Sequence, residues 1–182
     1  MLVRAARGWP AVKIILVIWV KMVLLKPTYI IDGDITDIDL DHLMAAGVRG
    51  IIFDLDSTLL APKSEAVSNE VEAWLAKVRQ NFRVVILSNN KKEAYVKQAE
   101  ELFQMPAIAK AAKPRRWGFH KSLEILKLPA EEVVVVGDRP LTDVLGGHRA
   151  GIRTVLVRAL KTIEEPAWKT FFRNLERCFI KN

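Results

Sequence analysis

Two carboxylates stand two residues apart in Asp54-Leu55-Asp56, with Ser57 and Thr58 following directly. Further along lie Ser88-Asn89-Asn90, then Lys113-Pro114, then Gly137-Asp138 with Asp143 five residues on. Two carboxylates crowded at one place are costly unless a cation neutralises them. The hard oxygens of Asp54 and Asp138, with Asp143 as a further candidate, suit Mg²⁺. Ser88, the amides around Asn89, and Lys113 supply donors and positive charge for an anionic group such as a phosphoryl. Together these residues have the chemistry to hold a metal and a phosphate side by side.

Such residues need a frame that brings them together. Apolar, β-rich runs occur at 50–55, 83–87, 133–137 and 154–157, with a weaker one at 107–109. Between them, Val71, Trp74, Leu75 and Val78 follow helical spacing behind Ser68 as N-cap, and 91–103, 117–126 and 141–150 are further helical stretches. Continuous apolar strands alternating with helices predict an α/β fold, a parallel sheet of about five strands covered by helices on both faces. Ligands of such sheets gather at the carboxyl ends of the strands, which is where all four stretches fall. Single Asp, Ser or Thr residues after strands are commonly turn formers or caps, and Ser64, Ser68 and the Asp32–Asp41 cluster are read that way. Arg115, Arg116 and Arg139 read as solvated surface, and His120 and His148 as residues without a metal role.

The ordered set resembles the haloacid dehalogenase superfamily of aspartyl-phosphate phosphatases over about residues 50–157. Asp54 to Thr58 matches its Asp-x-Asp-x-Thr/Val motif, Ser88 the second motif, Lys113 the third, and Gly137-Asp138 with Asp143 the fourth. The resemblance implies a three-layer, Rossmann-like fold. It also implies Asp54 as nucleophile, Asp56 as general acid and base, and Mg²⁺ held by Asp54, the Asp56 main-chain carbonyl and Asp138, with Asp143 orienting the metal's waters. Ser88, Asn89 and Lys113 would bind the phosphoryl group, and Thr58 would fix the loop around Asp56. A two-component receiver domain shares the sheet type, but there the phosphorylated Asp follows the third strand and the acidic pair the first.

The context narrows the resemblance. Leu25-Lys26-Pro27-Thr28-Tyr29, Gly47-Val48-Arg49-Gly50 leading to Asp54, and the run from Gly137 to Gly151 resemble the small bacterial branch that also holds the phosphatidylglycerophosphate phosphatases. That branch generally has Asn where Ser57 stands and Gln-Leu where Arg139-Pro140 stand. About ten residues separate Thr58 from the next helix, and about ten separate Phe103 from Lys113, too few for a cap domain. An uncapped site favours a large substrate, a protein or a lipid headgroup in its membrane.

The ends of the chain bear on that choice. Residues 1–27 carry Arg4, Arg7, Lys13, Lys21 and Lys26 and no acid, and of the 17 residues from Trp9 to Leu25, 14 are apolar. A free transmembrane helix needs about 20 mostly apolar residues. Interrupted by Lys13 and Lys21, this segment predicts a basic helix lying in an anionic membrane interface, on the cytoplasmic side. Trp168, Phe171, Phe172, Leu175 and Phe179 give 161–182 an amphipathic pattern, leaving 28–160 as the capless core. The net charge of +7 conceals seven Asp against Arg49 in 28–60, and 22 basic against 14 acidic residues after that. A single Cys excludes an intramolecular disulfide framework. The resemblance to that branch, taken with the uncapped site and the basic head, implies dephosphorylation of phosphatidylglycerophosphate to phosphatidylglycerol. The alternatives are a phosphatase of soluble esters or phosphoproteins, and a non-catalytic module docking its basic block on RNA. No motif combining stacking aromatics with basic residues recommends specific nucleic-acid binding, and the oligomeric state stays open.

Overall fold

The computed structural model describes residues 25–61 and 67–160. The helices expected over most of 1–27 and over 161–182, and Ser64, lie outside the described residues. Six strands form one parallel sheet in the order β1-β6-β5-β2-β3-β4. They are β1 (Tyr29–Ile30), β2 (Gly50–Phe53), β3 (Arg83–Leu87), β4 (Ala107–Ile108), β5 (Val133–Gly137) and β6 (Arg153–Leu156). The helices are α1 (Leu40–Ala45), α2 (Asn69–Asn81), α3 (Glu93–Phe103), α4 (Arg116–Leu126) and α5 (Leu145–Arg149).

The alternation of side chains along each strand sorts the core onto the two faces. Ile51, Phe53, Ile86, Val134 and Val136 pack on one side with Leu43 of α1, Val71, Trp74, Leu75 and Val78 of α2, and Val96 and Phe103 of α3. Ile52, Val85, Leu87, Val133 and Val135 pack on the other with Phe119 and Leu126 of α4. Strands buried on both faces must be apolar at every position, which is why these runs are continuous. Ser68 caps α2, its hydroxyl oxygen accepting from Val71 N at 3.3 Å.

The structure corrects two expectations. The sheet has six strands rather than about five, because Tyr29–Ile30 adds an edge beside β6, extended by Ile31 N to Leu156 O at 2.9 Å. Two residues are too short to leave a periodic signal. The helix expected over 141–150 opens as a wider turn over Pro140–Val144, in which Leu145 N donates to Pro140 O five residues back, before α5 begins. Such π-type turns insert an extra residue and recur at functional sites. The Asp32–Asp41 cluster behaves as expected: Asp34 and Asp37 form a capping box around Ile35–Asp37, and Asp39 caps α1. Only Gln104 to Pro106 separate α3 from β4, so no covering domain interrupts the chain there.

Candidate active site

The central strands deliver the carboxylates. Hydrogen bonding between β2 and β5 continues one residue past the strand end, Asp54 N donating to Val136 O at 2.9 Å, so Asp54 leaves the sheet beside Asp138. Lys113 reaches in from the loop after β4, its Nζ 2.5 Å from Asp54 Oδ1 and 2.7 Å from Asp143 Oδ1. The other oxygen of Asp143 accepts from Arg139 N and Thr142 Oγ1, each at 3.2 Å. The wide turn brings Asp143 back under Gly137, where even a Cβ would come within 2.5 Å of its carboxyl carbon. Gly137 is thus required by close approach.

Asp54, Asp138 and Asp143 each place a carboxylate oxygen within 4.8 Å of the others, and all three are buried. The donors are hard oxygens alone, the set that suits Mg²⁺. Among the described residues, Lys113 is the ammonium in contact with these carboxylates, bridging Asp54 and Asp143. Burial is the main cause that pushes the Asp54 carboxyl up to about 8; Asp143 and Asp138 add to it, against the pull of Lys113. For Lys113, burial alone would favour the neutral amine, but Asp143 and Asp54 outweigh it and hold the ammonium above its ordinary range. The two shifts are compatible: Lys113 is over-compensated by carboxylates, while Asp54 is under-compensated by cations.

Asp56 belongs to a different environment. Its Oδ2 accepts from Ser88 Oγ at 3.3 Å and its Oδ1 from Tyr95 OH at 3.1 Å. Ser88 is fully buried at the end of β3, and its hydroxyl oxygen accepts from Asn90 N at 3.0 Å. Partial burial, then the Asp56 charge, push the Tyr95 phenol up, so it stays a donor. Asp56 itself is half-buried.

All eight residues singled out in the sequence lie in these loops. The Asn89 side chain is committed to the Lys113 main chain: Oδ1 accepts from Lys113 N at 2.7 Å and Nδ2 donates to Lys113 O at 3.1 Å. The Thr58 hydroxyl points at Asp138 Oδ1, 3.4 Å away. Both hold other site residues in place. Tyr95 and Thr142 are partners that sequence reasoning passed over; the only signal for Tyr95 is its place in the first turn of the helix after Ser88.

Around the mouth, charge is segregated. The loop after β1 carries Asp32, Asp34 and Asp37, with Arg158 on Asp32 at 2.6 Å. The loops after β3 and β4 and the start of α4 carry exposed Lys91, Lys92, Arg115, Arg116 and Lys121, and Lys110, which pairs with Glu93 of α3 at 2.8 Å. Trp117 is 55% exposed there, with Lys121 Nζ 5.3 Å from its ring centroid, and Leu141 is exposed in the turn after β5.

Comparison with known proteins agrees with this geometry. The family described as HAD-hydrolase-like matches residues 110–167. The chain is 38% identical over 118 residues to the "Probable phosphatase YqeG" of Bacillus subtilis, covering 64% of this chain and 68% of that one. It is 32% identical over 158 residues to the chloroplastic phosphatidylglycerophosphate phosphatase 1 of Chlamydomonas reinhardtii, covering 81% of this chain and 58% of the algal protein. The chain therefore spans little more than half of that relative. Among solved structures, a predicted HAD-like family hydrolase from Porphyromonas gingivalis superposes with a TM-score of 0.51 at 16% identity, over 71% of this chain and 98% of that one, a likeness of fold. The chain belongs to the haloacid dehalogenase superfamily, in the branch of YqeG and the phosphatidylglycerophosphate phosphatases.

Proposed function

We propose that the chain hydrolyses a phosphate monoester through an aspartyl-phosphate on Asp54, with phosphatidylglycerophosphate as its substrate. The observation that carries the reading is the separation of two carboxylates two residues apart: Asp54 lies in an ionic pocket with Lys113, Asp56 between two neutral donors. A nucleophile must be unprotonated, and burial pushes the Asp54 carboxyl up to about 8, so Asp54 needs the charge of a bound cation beside Lys113 before it can act. An Asp54 oxygen bonds to phosphorus as the P–O bond to the alcohol breaks. The bonding pair leaves on the alcohol oxygen, which takes the proton from Asp56. Asp56, now a carboxylate, removes a proton from water; the water oxygen attacks phosphorus, and Asp54 returns with release of inorganic phosphate. Lys113 and Ser88 hold the phosphoryl oxygens. Asp54, Asp138 and Asp143, with the Asp56 main-chain carbonyl, would hold Mg²⁺, whose charge offsets the negative charge of nucleophile and phosphate together.

Three features support the lipid. The algal relative bears that activity in its name. The described connection of three residues between α3 and β4 has no room for a covering domain, which suits a headgroup entering from a bilayer. The basic side of the mouth, with Trp117 and Leu141 exposed beside it, is complementary to an anionic bilayer. Attachment would be peripheral, on the cytoplasmic face, aided by residues 1–27. Among the described residues no helix is long and apolar enough to cross a membrane. The test is phosphate release, with Mg²⁺, from vesicles containing phosphatidylglycerophosphate, beside glycerol phosphate, phenyl phosphate and a phosphopeptide. Preferential release from the lipid is expected, lost in Asp54→Asn. Equal or faster release from the soluble esters would overturn the lipid assignment, and full activity of Asp54→Asn would overturn the mechanism.

A further inference from the structure

Asp56 has two side-chain donors, and they are not equivalent. Ser88 Oγ, on Oδ2, is one of the groups that would bind the phosphoryl oxygens, and a hydroxyl has one proton to give. When it turns to a phosphoryl oxygen, Oδ2 loses its donor. Tyr95 is placed differently. It stands in the first turn of α3, its ring packs against the core on that face of the sheet, and its hydroxyl reaches only the Oδ1 side of Asp56. No carboxylate-binding or phosphate-binding group other than Asp56 is its hydrogen-bond partner among the described residues.

We infer that Tyr95 is the positioning residue for the general acid: its phenol donates to Asp56 Oδ1 throughout, so the catalytic proton must reside on Oδ2. Substrate binding then draws the Ser88 hydroxyl away from that oxygen and leaves Oδ2–H directed at the leaving oxygen. One donor is released by substrate and the other is not. The asymmetry also fixes the carboxyl rotation, since a half-buried Asp56 held by Ser88 alone would be free to turn once Ser88 engages phosphate. In the return step the same contact keeps the ionised Asp56 aimed at the attacking water. This inference rests on Asp56 being the acid and base of the proposed mechanism.

The experiment uses the full chain with Mg²⁺ and Tyr95→Phe, which keeps the ring that packs against the core. A group that only helps protonate the leaving oxygen matters little when that oxygen leaves easily. Loss of kcat on the order of tenfold is expected with phenyl phosphate and with the lipid, the size of one hydrogen bond to a charged group. With dinitrophenyl phosphate, formation of the aspartyl-phosphate in a single turnover should change less than about threefold by the same reasoning. KM and inhibition by inorganic phosphate should not move. Asp56→Asn should show the same leaving-group pattern with a larger loss, on the order of 10²–10⁴-fold for the poor leaving group. An equal loss with both aryl esters, no loss with either, or a matching rise in the inhibition constant of phosphate would overturn the role of Tyr95. If Tyr95→Phe lowers the melting temperature, a control Val96→Ala of similar melting temperature must leave the leaving-group pattern unchanged; the same pattern in that control overturns the inference. Should Asp56→Asn show no leaving-group dependence, or the wild type release no phosphate from any of these esters, the mechanism itself falls, which separates the two failures.

Discussion

The two halves of the site solve opposite electrostatic problems. Around Asp54, the buried side chains of Asp138, Asp143 and Lys113 are packed together, charge against charge. Around Asp56, the neighbours are neutral hydroxyls and the carboxyl is only half-buried. Buried charge holds its geometry only while it is matched, so the first half depends on a cation for stability as well as for chemistry. The second half can be altered with little effect on folding. Mutations should therefore divide sharply between the halves.

The largest effect on folding should come from Lys113→Met. Removing the ammonium leaves the buried carboxyl oxygens of Asp54 and Asp143 without their shared donor, and breaking a buried pair this way costs about 3–5 kcal/mol. Urea unfolding of the metal-free protein at neutral pH measures it; a loss comparable to that of Tyr95→Phe would erase the distinction. Next comes pH. The folded chain holds the Asp54 proton more tightly than the unfolded chain does, so ionising it on the way from the ordinary carboxylate range up to about 8 costs stability. The metal-free protein should lose melting temperature over that window, and Mg²⁺ should recover more of it at pH 8 than at pH 5. Asp54→Asn should flatten the metal-free profile. The smallest effect concerns the link between the halves. Ser57 is buried with φ +68°, a left-handed conformation that Asn tolerates better than Ser. Ser57→Asn should raise stability by a few tenths of a kcal/mol up to about 1 kcal/mol, read from thermal unfolding, without shifting activity in either half.

Much of this was legible in the chain. The runs ending at Phe53, Leu87 and Gly137 are apolar almost throughout, Arg83 at the exposed start of β3 excepted, because both faces of the sheet are covered, and that alone announces a buried parallel sheet. Polar residues immediately beyond such runs must emerge at one edge, so Asp54, Ser88 and Asp138 could be placed together without coordinates. Side-chain direction was harder. Thr58 and Asn89 are the right types for a phosphate site, yet one hydroxyl faces Asp138 and one amide clasps the Lys113 main chain. Tyr95 looked like any half-buried helix aromatic, and β1 was too short to read.

The sequence by itself determined which groups meet: strand ends of a doubly covered parallel sheet share an edge, whatever the details of the loops. Which oxygen each group faces was decided only by the tertiary structure. Lys113 reaches Asp54 across 59 residues and Tyr95 reaches Asp56 across 39. Contacts of that kind depend on how α3 and the loop after β4 pack against the sheet, and local spacing carries no trace of that packing.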